Sequence, residues 1–346
     1  MRAITVVPGR GEPQLGEVPD PVPRDGELLV ETLALGVCGT DREIVSGKYG
    51  WAPEGRERLV LGHEALGRVL ESPAGSGFTA GDLLVPIVRR PDPVPCACCA
   101  AGQADMCRNG RYQERGIKEL DGYGSERFTV EPQFAVKLET TLARAGVLVE
   151  PASVLAKAWE HIDRIAARAC VPLDRALITG AGPIGLLAAL MGVQRGIEVH
   201  VLDKAEDGLK PELVRALGAE YVTGGVERIS PEVVIECTGV AELVVETMLH
   251  TAPGAVVCLT GVAPSRSLTL DVGALNNELV LENDVVFGSV NANRSHFRAA
   301  VDSLVRADGD WLERLITRRV PLTDWEQALE RQPDDVKNVI EFASAA

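Results

Sequence analysis

The sequence lacks any apolar run near the roughly 18 residues that a membrane-spanning helix needs. Its opening apolar run, Ala3 to Val7, is cut by Pro8 and Gly9 before the core of a secretory signal peptide could form. Positive charge is also scarce, because 35 lysines and arginines face 50 acidic residues and leave a net charge of -15. That charge repels nucleic acids and anionic membranes. We therefore expect a cytoplasmic protein that binds neither nucleic acid nor membrane, and whose partner is a small molecule.

A chain of 346 residues is longer than the roughly 250 to 300 residues at which single hydrophobic cores stop growing. Two domains are therefore expected, and a composition of 46% hydrophobic and 25% charged residues is typical of globular proteins. Repeats, low-complexity tracts and coiled-coil heptads are missing. The sequence has eight cysteines and no secretory signal. This favours reduced thiols that bind metals or take part in catalysis over cysteines paired in disulfides.

The pattern of predicted secondary structure changes at about residue 150. Residues 1–150 predict short strands broken by glycine and proline, whereas strands and helices alternate through residues 151–290. Such alternation is typical of a Rossmann-like, doubly wound parallel sheet, so the predicted fold class is α/β. Residues 291–346 are expected to return to the first domain. The predicted helices are Val154 to Ala167, Ile184 to Met191, Glu212 to Leu217, His296 to Val305 and Trp325 to Arg331.

A Gly-x-Gly-x-x-Gly pattern separates a predicted strand, Ala176 to Thr179, from a predicted helix. Gly180 permits the tight turn, Gly182 lets the backbone approach a pyrophosphate at the helix N-terminus, and Gly185 allows close packing of helix on strand. The pattern predicts a dinucleotide site. Further candidates for binding the cofactor are Pro183, Ile184 and Thr238.

Asp203 ends the next predicted strand, about 20 residues after the glycine turn. An acid at this place accepts hydrogen bonds from the adenosine ribose hydroxyls, which favours NAD. Lys204 and Lys210 could instead pair with a 2'-phosphate, so NADP stays an alternative.

Cys38 and His63 each lie in a glycine-rich turn beside a predicted strand. Alone, a cysteine is more often a small core residue and a histidine a loop residue. Beside a nucleotide-binding fold, the two suggest a catalytic zinc, which takes three protein ligands and keeps one position open.

Taken in order, five motifs resemble the zinc-dependent medium-chain dehydrogenase/reductase superfamily over essentially the whole chain. They are the Gly-x-Cys-Gly-Thr-Asp turn at 36–41, the Gly-His-Glu turn at 62–64, a cysteine-rich loop, Glu150-Pro151 and the glycine turn. The resemblance implies that residues 1–150 and the tail form a GroES-like catalytic domain, with the Rossmann-like domain between them. It also implies a homodimer or homotetramer.

The same resemblance implies the zinc ligands. Polyol and sugar enzymes of the superfamily use the glutamate of a Glu-Pro pair as the third ligand, which implies Cys38, His63 and Glu150 here. Glu64 would be able to approach the metal or exchange with water. Cys170 is then interpreted as a packing residue.

Three further motifs are similar to the glucose 1-dehydrogenase branch of the superfamily. They are Val88-Arg89-Arg90-Pro91, Glu114-Arg115-Gly116-Ile117 and the segment from Val290-Asn291 to His296-Phe297. This similarity implies that Glu114 and Asn291 contact sugar hydroxyls, and that Asn291 also lies near the nicotinamide. The alternative for both is a polar domain interface.

The expected chemistry is hydride transfer from the substrate to the nicotinamide. A zinc ion acts as a Lewis acid that lowers the pKa of a substrate hydroxyl. Thr40 is expected to relay the hydroxyl proton, and Asp41 to orient the ligands. Because Glu43 stands where alcohol dehydrogenases often have a relay histidine, the exit route of the proton is left open.

The cysteine-rich loop keeps only part of the family pattern. Cys96, Cys99 and Cys107 fit its last three positions, but the first falls on Pro93, which cannot bind a metal. Cys98 or Asp92 could complete a tetrahedron around a second, structural zinc. The alternative is a metal-free loop with free thiols.

Aromatic residues make up only 4% of the chain, whereas the expected substrate site offers hydrogen-bonding groups on Thr40, Glu114, Glu150 and Asn291. Such a site suits a polyhydroxylated substrate. The resemblance implies oxidation of an aldose at its anomeric carbon, with D-glucose giving gluconolactone. Alternatives are a dehydrogenase of another sugar, polyol or cyclitol, a zinc-free quinone or enone reductase, and a nucleotide sensor without turnover.

Overall fold

The structure is a computed structural model that describes residues 1–170, 172–262 and 266–343. The chain forms two units, of which unit 1 comprises Met1–Ser153 and Asn291–Ala346, and unit 2 comprises Val154–Val290. The sequence predicts domain limits after residues 150 and 290.

The elements up to the end of the first long helix are, in chain order, β1 (Arg2–Val7), β2 (Gly11–Glu17), β3 (Leu28–Val37), α1 (Gly39–Val45), β4 (Leu59–Val60), β5 (Glu64–Glu71), β6 (Leu83–Pro86), β7 (Arg89–Arg90), α2 (Ala97–Ala100), β8 (Gln113–Arg115), β9 (Glu119–Leu120), β10 (Arg127–Val130), β11 (Ala135–Leu138) and α3 (Val149–Ala166). The elements of unit 2 that follow are β12 (Arg175–Thr179), α4 (Pro183–Val193), β13 (Glu198–Leu202), α5 (Leu209–Ala216), β14 (Glu220–Val222), β15 (Val233–Glu236), α6 (Ala241–Met248), β16 (Val256–Leu259), α7 (Val272–Leu281) and β17 (Val285–Gly288). The last elements belong to unit 1 and are α8 (Arg294–Val305), α9 (Gly309–Leu315), β18 (Ile316–Pro321), α10 (Glu326–Leu329) and β19 (Lys337–Glu341). Short 3-10 turns lie at Ala104–Met106, Pro132–Phe134, Thr140–Leu142, Gly146–Leu148, Val226–Arg228 and Leu322–Asp324.

The main sheet of unit 1 has the strand order β11-β6-β5-β3-β19-β18, and β10 also pairs with β3. β3 is the centre of this sheet, because it pairs with β5, β10 and β19, all antiparallel. Residues 32–37 of β3 are all buried, as expected for a strand that is covered on both faces. The C-terminal strands β18 and β19 therefore belong to the same sheet as β3, β5 and β6.

Unit 2 is a six-stranded sheet in the order β14-β13-β12-β15-β16-β17, and every pairing in it is parallel. Ala176, Leu177 and Ile178 of β12 have no exposed surface, which is typical of a parallel strand between two layers of helices. The strand order reverses between β12 and β15, and dinucleotides bind at such a reversal. The predicted fold class is confirmed.

All five predicted helices are present, and their ends differ from the prediction by up to five residues. α3 begins at Val149 rather than at Val154, because Pro151 lies in its first turn, where the missing N–H costs nothing. α10 covers only Glu326–Leu329 of the predicted helix from Trp325 to Arg331. Among the described residues, no helix is both long and apolar enough to cross a membrane.

Candidate active site

Cys38, His63 and Glu64 come together in unit 1. β3 ends just before Cys38 and β5 begins at Glu64, and the antiparallel pairing of these strands sets Gly36 opposite Glu64. The Sγ atom of Cys38 lies 3.2 Å from Nε2 of His63. The donor atoms of the three residues all lie within 4.8 Å of one another. Sulfur, imidazole nitrogen and carboxylate oxygen at this spacing form a donor set that zinc prefers.

Asp41 supports this cluster from the first turn of α1. Its Oδ2 accepts a hydrogen bond of 2.9 Å from the backbone N–H of Cys38, and its Oδ1 lies 3.4 Å from Nδ1 of His63. Burial raises the pKa of Asp41, but His63 and the Cys38 N–H outweigh burial and hold that pKa below its usual range. An ionised Asp41 on the Nδ1 side leaves Nε2 of His63 facing Cys38. Thr40 lies partly buried in the same turn.

Glu150 lies in the first turn of α3, at the edge of the cluster. Among the described residues, the ligand atoms of Cys38, His63 and Glu64 lie within 4.8 Å of one another, and the oxygens of Glu150 do not belong to this group. Burial raises the pKa of Glu150 to about 7, with His63 opposing this rise and Glu64 adding to it. Glu150 is therefore close enough to His63 and Glu64 to be affected by their charges, and a bound cation would relieve this concentration of carboxylates.

Glu114 and Asn291 also meet in unit 1. Nδ2 of Asn291 donates a hydrogen bond of 2.7 Å to Oε1 of Glu114. Nε and Nη2 of Arg89 donate to the same oxygen at 3.0 and 2.9 Å, because Arg89 of β7 is the register partner of Glu114 in β8. These donors all go to Oε1, which leaves Oε2 of Glu114 available to a hydroxyl.

The cysteine-rich loop, residues 96–107 and called the lobe loop below, brings three cysteines together in unit 1. The sulfur atoms of Cys96, Cys99 and Cys107 lie within 4.8 Å of one another. Backbone N–H groups, first that of Arg108, lower the pKa of Cys96 to about 6, whereas burial raises the pKa of Cys99. A thiol that ionises this readily is a good metal ligand.

Neither residue proposed to complete this tetrahedron joins the three cysteines. Cys98 does not belong to the cluster found among the described residues. Asp92 is engaged elsewhere, since Oδ1 accepts from the backbone N–H of Val94 at 2.8 Å and Oδ2 from Nε of Arg111 at 3.3 Å. Among the described residues the group therefore holds three sulfur atoms, and a fourth ligand from Cys98 or Asp92 stays a prediction.

The glycine turn of unit 2 has its predicted form. Gly180 follows β12 with a φ of 87°, a left-handed conformation that glycine adopts without strain. Gly182 caps α4, and Pro183 is the first helical residue, followed by Ile184. A Cβ atom at Gly185 would collide with the carbonyl oxygen of Gly180. The turn thus leaves backbone, without side chains, at the start of α4, where a dinucleotide phosphate would bind.

Asp203 lies beside this turn. Its Oδ2 accepts from the backbone N–H of Ala181 at 2.7 Å, and Oδ1 accepts from the N–H groups of Lys204 and Ala205 at 2.7 and 3.3 Å. Burial opposes ionisation, but these donors and Lys210 keep the pKa of Asp203 below its usual range. Nζ of Lys210 lies 3.6 Å from Oδ2, whereas Lys204 is exposed. Of the two lysines, Lys210 is the one that pairs with Asp203.

Models of two known domain families cover most of the chain. The "Alcohol dehydrogenase GroES-like domain" matches residues 24–140, and the "Glucose dehydrogenase C-terminus" matches residues 143–342. A glucose 1-dehydrogenase of Thermoproteus tenax is 40% identical, with 99% of each chain covered. The chain belongs to the glucose dehydrogenase family. A glucose 1-dehydrogenase of Methanocella arvoryzae is 37% identical over 99% of this chain and 100% of the relative.

The fold is also that of a solved member of the family. Haloferax mediterranei glucose dehydrogenase, in complex with NADP, Zn and gluconolactone, matches with a TM-score of 0.92 and 34% identity. The match covers 99% of this chain and 100% of the other. The predicted resemblance to the medium-chain dehydrogenase/reductase superfamily and its glucose 1-dehydrogenase branch is confirmed.

Lys337 is a residue of the site that the sequence motifs of this family member do not indicate. The ammonium group of Lys337 pairs with Oε2 of Glu64, and the two side chains are only 1% and 3% exposed. A buried carboxylate requires such a counter-charge. Lys337 opens β19, whose Asn338 pairs with Val37 of β3, so only the folded sheet brings it to Glu64. Its local signal, a lysine that opens a short apolar strand, does not reveal Glu64 as the partner.

The role of Arg89 was missed as well, although its motif was noted. Nη1 of Arg89 donates to the carbonyl oxygen of Asp105 at 3.0 Å, and its guanidinium lies 3.8 Å from the centre of the Tyr112 ring. Oδ1 of Asp105 accepts from Nδ2 of Asn293 at 3.1 Å. Since Asp105 lies between Cys99 and Cys107, the lobe loop is hydrogen-bonded to the segment that carries Asn291.

The interpretation of Cys170 is wrong. It was expected to be a packing residue, but its side chain is exposed in the turn that follows α3.

Proposed function

We propose that this chain oxidises D-glucose at its anomeric carbon in a zinc-dependent reaction and passes the hydride to NAD or NADP. The observation that carries the proposal is the buried group of Cys38, His63 and Glu64, with Glu150 at its edge, in a member of the glucose dehydrogenase family. Loss of a hydride and a proton from the anomeric centre of glucose gives gluconolactone. A relative that is covered over its full length is known in complex with that product, NADP and Zn.

In this proposal Cys38, His63 and Glu150 hold the metal. Zinc, when bound, supplies a Lewis acid that lowers the pKa of a substrate hydroxyl. Asp41 orients His63 from its Nδ1 side, as the 3.4 Å approach of the carboxylate supports. Glu64 would be able to approach the metal or exchange with water, and Lys337 balances its charge.

Thr40 and Asp41 are the proposed catalytic residues. The hydroxyl of Thr40, two residues beyond Cys38, would accept a hydrogen bond from the substrate hydroxyl and relay its proton, giving up its own proton as it does so. Its position in the first turn of α1, partly buried beside the Cys38 turn, supports this role.

Sugar recognition is assigned to Glu114 and Asn291, with Thr40 and Glu150 near the reacting hydroxyl. Arg89 holds Oε1 of Glu114 through two donors and Asn291 adds a third, so the carboxylate is fixed before any sugar binds. A fixed acceptor discriminates strongly against analogues that lack the matching hydroxyl.

The cofactor is assigned to Gly180, Gly182, Pro183, Ile184, Gly185, Asp203, Lys204 and Thr238, with Asn291 near the nicotinamide. The carboxylate of Asp203 favours the ribose hydroxyls of NAD and repels the 2'-phosphate of NADP. Lys210 weakens that repulsion because it already pairs with Asp203. We therefore expect NAD to be the better cofactor and NADP to be accepted.

The test is to measure the reduction of NAD and NADP with glucose, its epimers, xylose, open-chain polyols, a cyclitol and simple secondary alcohols. The highest kcat/KM is expected for glucose, with gluconolactone as product. Preference for a polyol or a simple alcohol would contradict the assignment of a sugar as the substrate. It would not contradict the assignment of the chain as a zinc-dependent dehydrogenase. Full activity without zinc, or binding of cofactor without turnover of any substrate, would overturn the whole proposal.

A further inference from the structure

Glu236 is a carboxylate without exposed surface at the C-terminal end of β15 in unit 2. It is the register partner of Thr179, the last residue of β12. The strand order of the sheet reverses between these two strands, which is where a doubly wound fold binds its dinucleotide. A buried carboxylate is costly unless donors satisfy it, so the identity of its donors shows what it holds in place.

The donors to Glu236 come from the end of β12 and from the turn that follows β15. Oγ1 of Thr179 donates to Oε1 at 3.0 Å, the backbone N–H of Thr238 donates to it at 2.7 Å, and the hydroxyl of Thr238 also donates to it. The N–H of Gly239 lies 3.1 Å from both carboxylate oxygens. One side chain thus joins the end of β12 to the turn that follows β15.

The backbone of Glu236 is also hydrogen-bonded to residues at the end of a third strand. Its carbonyl oxygen accepts from the N–H groups of Thr260 and Gly261 at 2.8 and 3.0 Å, just beyond β16. A Cβ atom at Gly261 would lie 2.7 Å from Oε2 of Glu236, so this corner has no room for a larger residue. Glu236 is therefore packed and hydrogen-bonded at the ends of three adjacent strands.

Thr238 transmits this constraint to the glycine turn. Its hydroxyl donates to Glu236 and accepts from the N–H of Val240 at 3.0 Å, which fixes the rotamer of the side chain. Its Cγ2 methyl lies 2.9 Å from the place of a Cβ at Gly180, so the methyl group packs directly against that glycine. The position of the Gly180 turn thus depends on Thr238, and that of Thr238 depends on Glu236.

We infer that Glu236 is a positioning residue for the nicotinamide cofactor, because it holds the Thr238 turn against the Gly180 turn and so preforms the cleft that receives the pyrophosphate. The inference rests on the proposed function in that the ligand is NAD or NADP. Oε1 of Glu236 accepts four of these bonds and Oε2 only one. Glutamine can keep the Oε1 bonds, whereas methionine, of similar size, provides no acceptor.

The experiment compares Glu236→Met with Glu236→Gln in the full-length, zinc-loaded chain. Both variants remove the negative charge, so the difference between them isolates the hydrogen bonds. NAD and NADP are titrated in by calorimetry, and kcat and the KM of each substrate are measured. We expect Glu236→Met to raise the Kd and KM of the cofactor about tenfold and Glu236→Gln less than about threefold. The KM for the sugar at saturating cofactor should not change.

Asp284→Leu is the matched control in the same sheet. Oδ2 of Asp284 accepts from Oγ1 of Thr251 at 2.7 Å, and Oδ1 from the N–H of Ala255 at 2.8 Å, at the N-terminal end of β16. This variant should lower the melting temperature and leave the Kd of the cofactor as in the wild type. An equal rise in Kd in Asp284→Leu and Glu236→Met would show a general loss of stability and overturn the inference. A wild-type Kd in folded Glu236→Met would overturn it as well.

If Glu236→Met does not fold, Thr179→Val decides, because it removes one donor and leaves the carboxylate in place. An increase of about two- to fivefold in the Kd of the cofactor is expected, and a wild-type Kd would overturn the inference.

The proposed function and the role of Glu236 are contradicted by different results. If the wild-type chain binds neither NAD nor NADP, the proposed function is contradicted. If the wild-type chain binds the cofactor and the variants bind it equally well, only the role of Glu236 is contradicted.

Discussion

At the scale of single residues, Cys38 gives the most direct test of the metal site. Replacing Cys38 with alanine removes the sulfur donor that lies 3.2 Å from His63, so zinc at this site and turnover should both be lost. Binding of NAD should persist, because the glycine turn belongs to unit 2. Elemental analysis and a cofactor titration measure the two effects.

Cys170→Ala is the matched control for Cys38→Ala. Cys170 is exposed and lies far along the chain from the cluster, so this variant should keep its zinc and its activity. Retention of zinc at the catalytic site together with full turnover in Cys38→Ala would show that the ligand set is wrong.

The second prediction at this scale concerns Glu114. Glu114→Gln removes the charge that we expect a sugar hydroxyl to bind, and a hydrogen bond to a charged group contributes about 1.5 to 3 kcal/mol. The KM for glucose should rise at least about tenfold, while the Kd of the cofactor stays unchanged.

Glu119→Gln provides the comparison for Glu114→Gln. Glu119 pairs with Glu114 between β8 and β9 but is exposed, so its replacement should leave the KM for glucose as it is. An unchanged KM in Glu114→Gln would assign Glu114 to a structural role beside Arg89.

At the scale of single elements, the lobe loop carries a prediction about metal content. Three cysteine sulfurs converge there, and the low pKa of Cys96 favours metal binding. We expect two zinc ions per chain, one of which is lost in Cys107→Ala. Cys98→Ala should keep both, because Cys98 lies outside the cluster. Elemental analysis that finds one zinc per fully loaded wild-type chain would exclude the second site.

The β18–β19 pair carries a prediction about pH. Asp335 accepts from Nδ2 of Asn338 at 3.0 Å and from the N–H of Gln332 at 2.9 Å, and it pairs with Arg318. Burial opposes ionisation of Asp335, but these partners hold its pKa below its usual value of 3.8. A carboxyl whose pKa is lower in the folded state stabilises the fold above pH 3.8, and this stabilisation is lost as the pH falls through the folded-state pKa.

Asp335→Asn should therefore lower the free energy of unfolding by about 1 kcal/mol at pH 7, a modest amount because the pair lies near solvent. The difference from the wild type should shrink as the pH falls below 3.8. Urea unfolding at several pH values measures it, with the exposed Asp334→Asn as control. A difference that grows on acidification would contradict the assignment.

Features that depend on neighbouring residues could be predicted from the sequence. The glycine turn is one such feature, because its three glycines lie within six positions. Gly180 follows the strand, Gly182 caps the helix and Gly185 allows the helix to pack closely on the strand. Lys337 could not be predicted, because its partner Glu64 lies on a strand that only the folded sheet brings near. β18 was not predicted either, since Arg318 and Arg319 interrupt its apolar pattern.

At the scale of the whole molecule, charge is the property that is easiest to test. A net charge of -15 destabilises a compact state through repulsion between acidic groups, and salt screens such repulsion beyond roughly 10 Å at 0.1 M. Raising sodium chloride from about 0.01 M to 0.5 M should therefore raise the melting temperature, by about 1 to 2 °C for each kcal/mol gained. The shift should shrink near pH 5, where the net charge approaches zero. A melting temperature that falls with salt at pH 7 would contradict this account.

Two sequence-based expectations at this scale stay predictions. The homodimer or homotetramer implied by the family can be measured by light scattering of the full chain. The cytoplasmic location requires an experiment in cells.

Unit 1 is made of the two ends of the chain, and this arrangement has a consequence for biosynthesis. β3 emerges from the ribosome early, but β19, its direct neighbour in the sheet, is synthesised only after the whole of unit 2. Unit 2 is contiguous, so it can fold during translation, whereas the sheet of unit 1 stays incomplete until the last strands arrive. Lys337 comes with those strands, so the carboxylate of Glu64 gains its counter-charge last. A nascent chain that stalls before β19 would hold a folded nucleotide-binding unit beside an unfinished metal site.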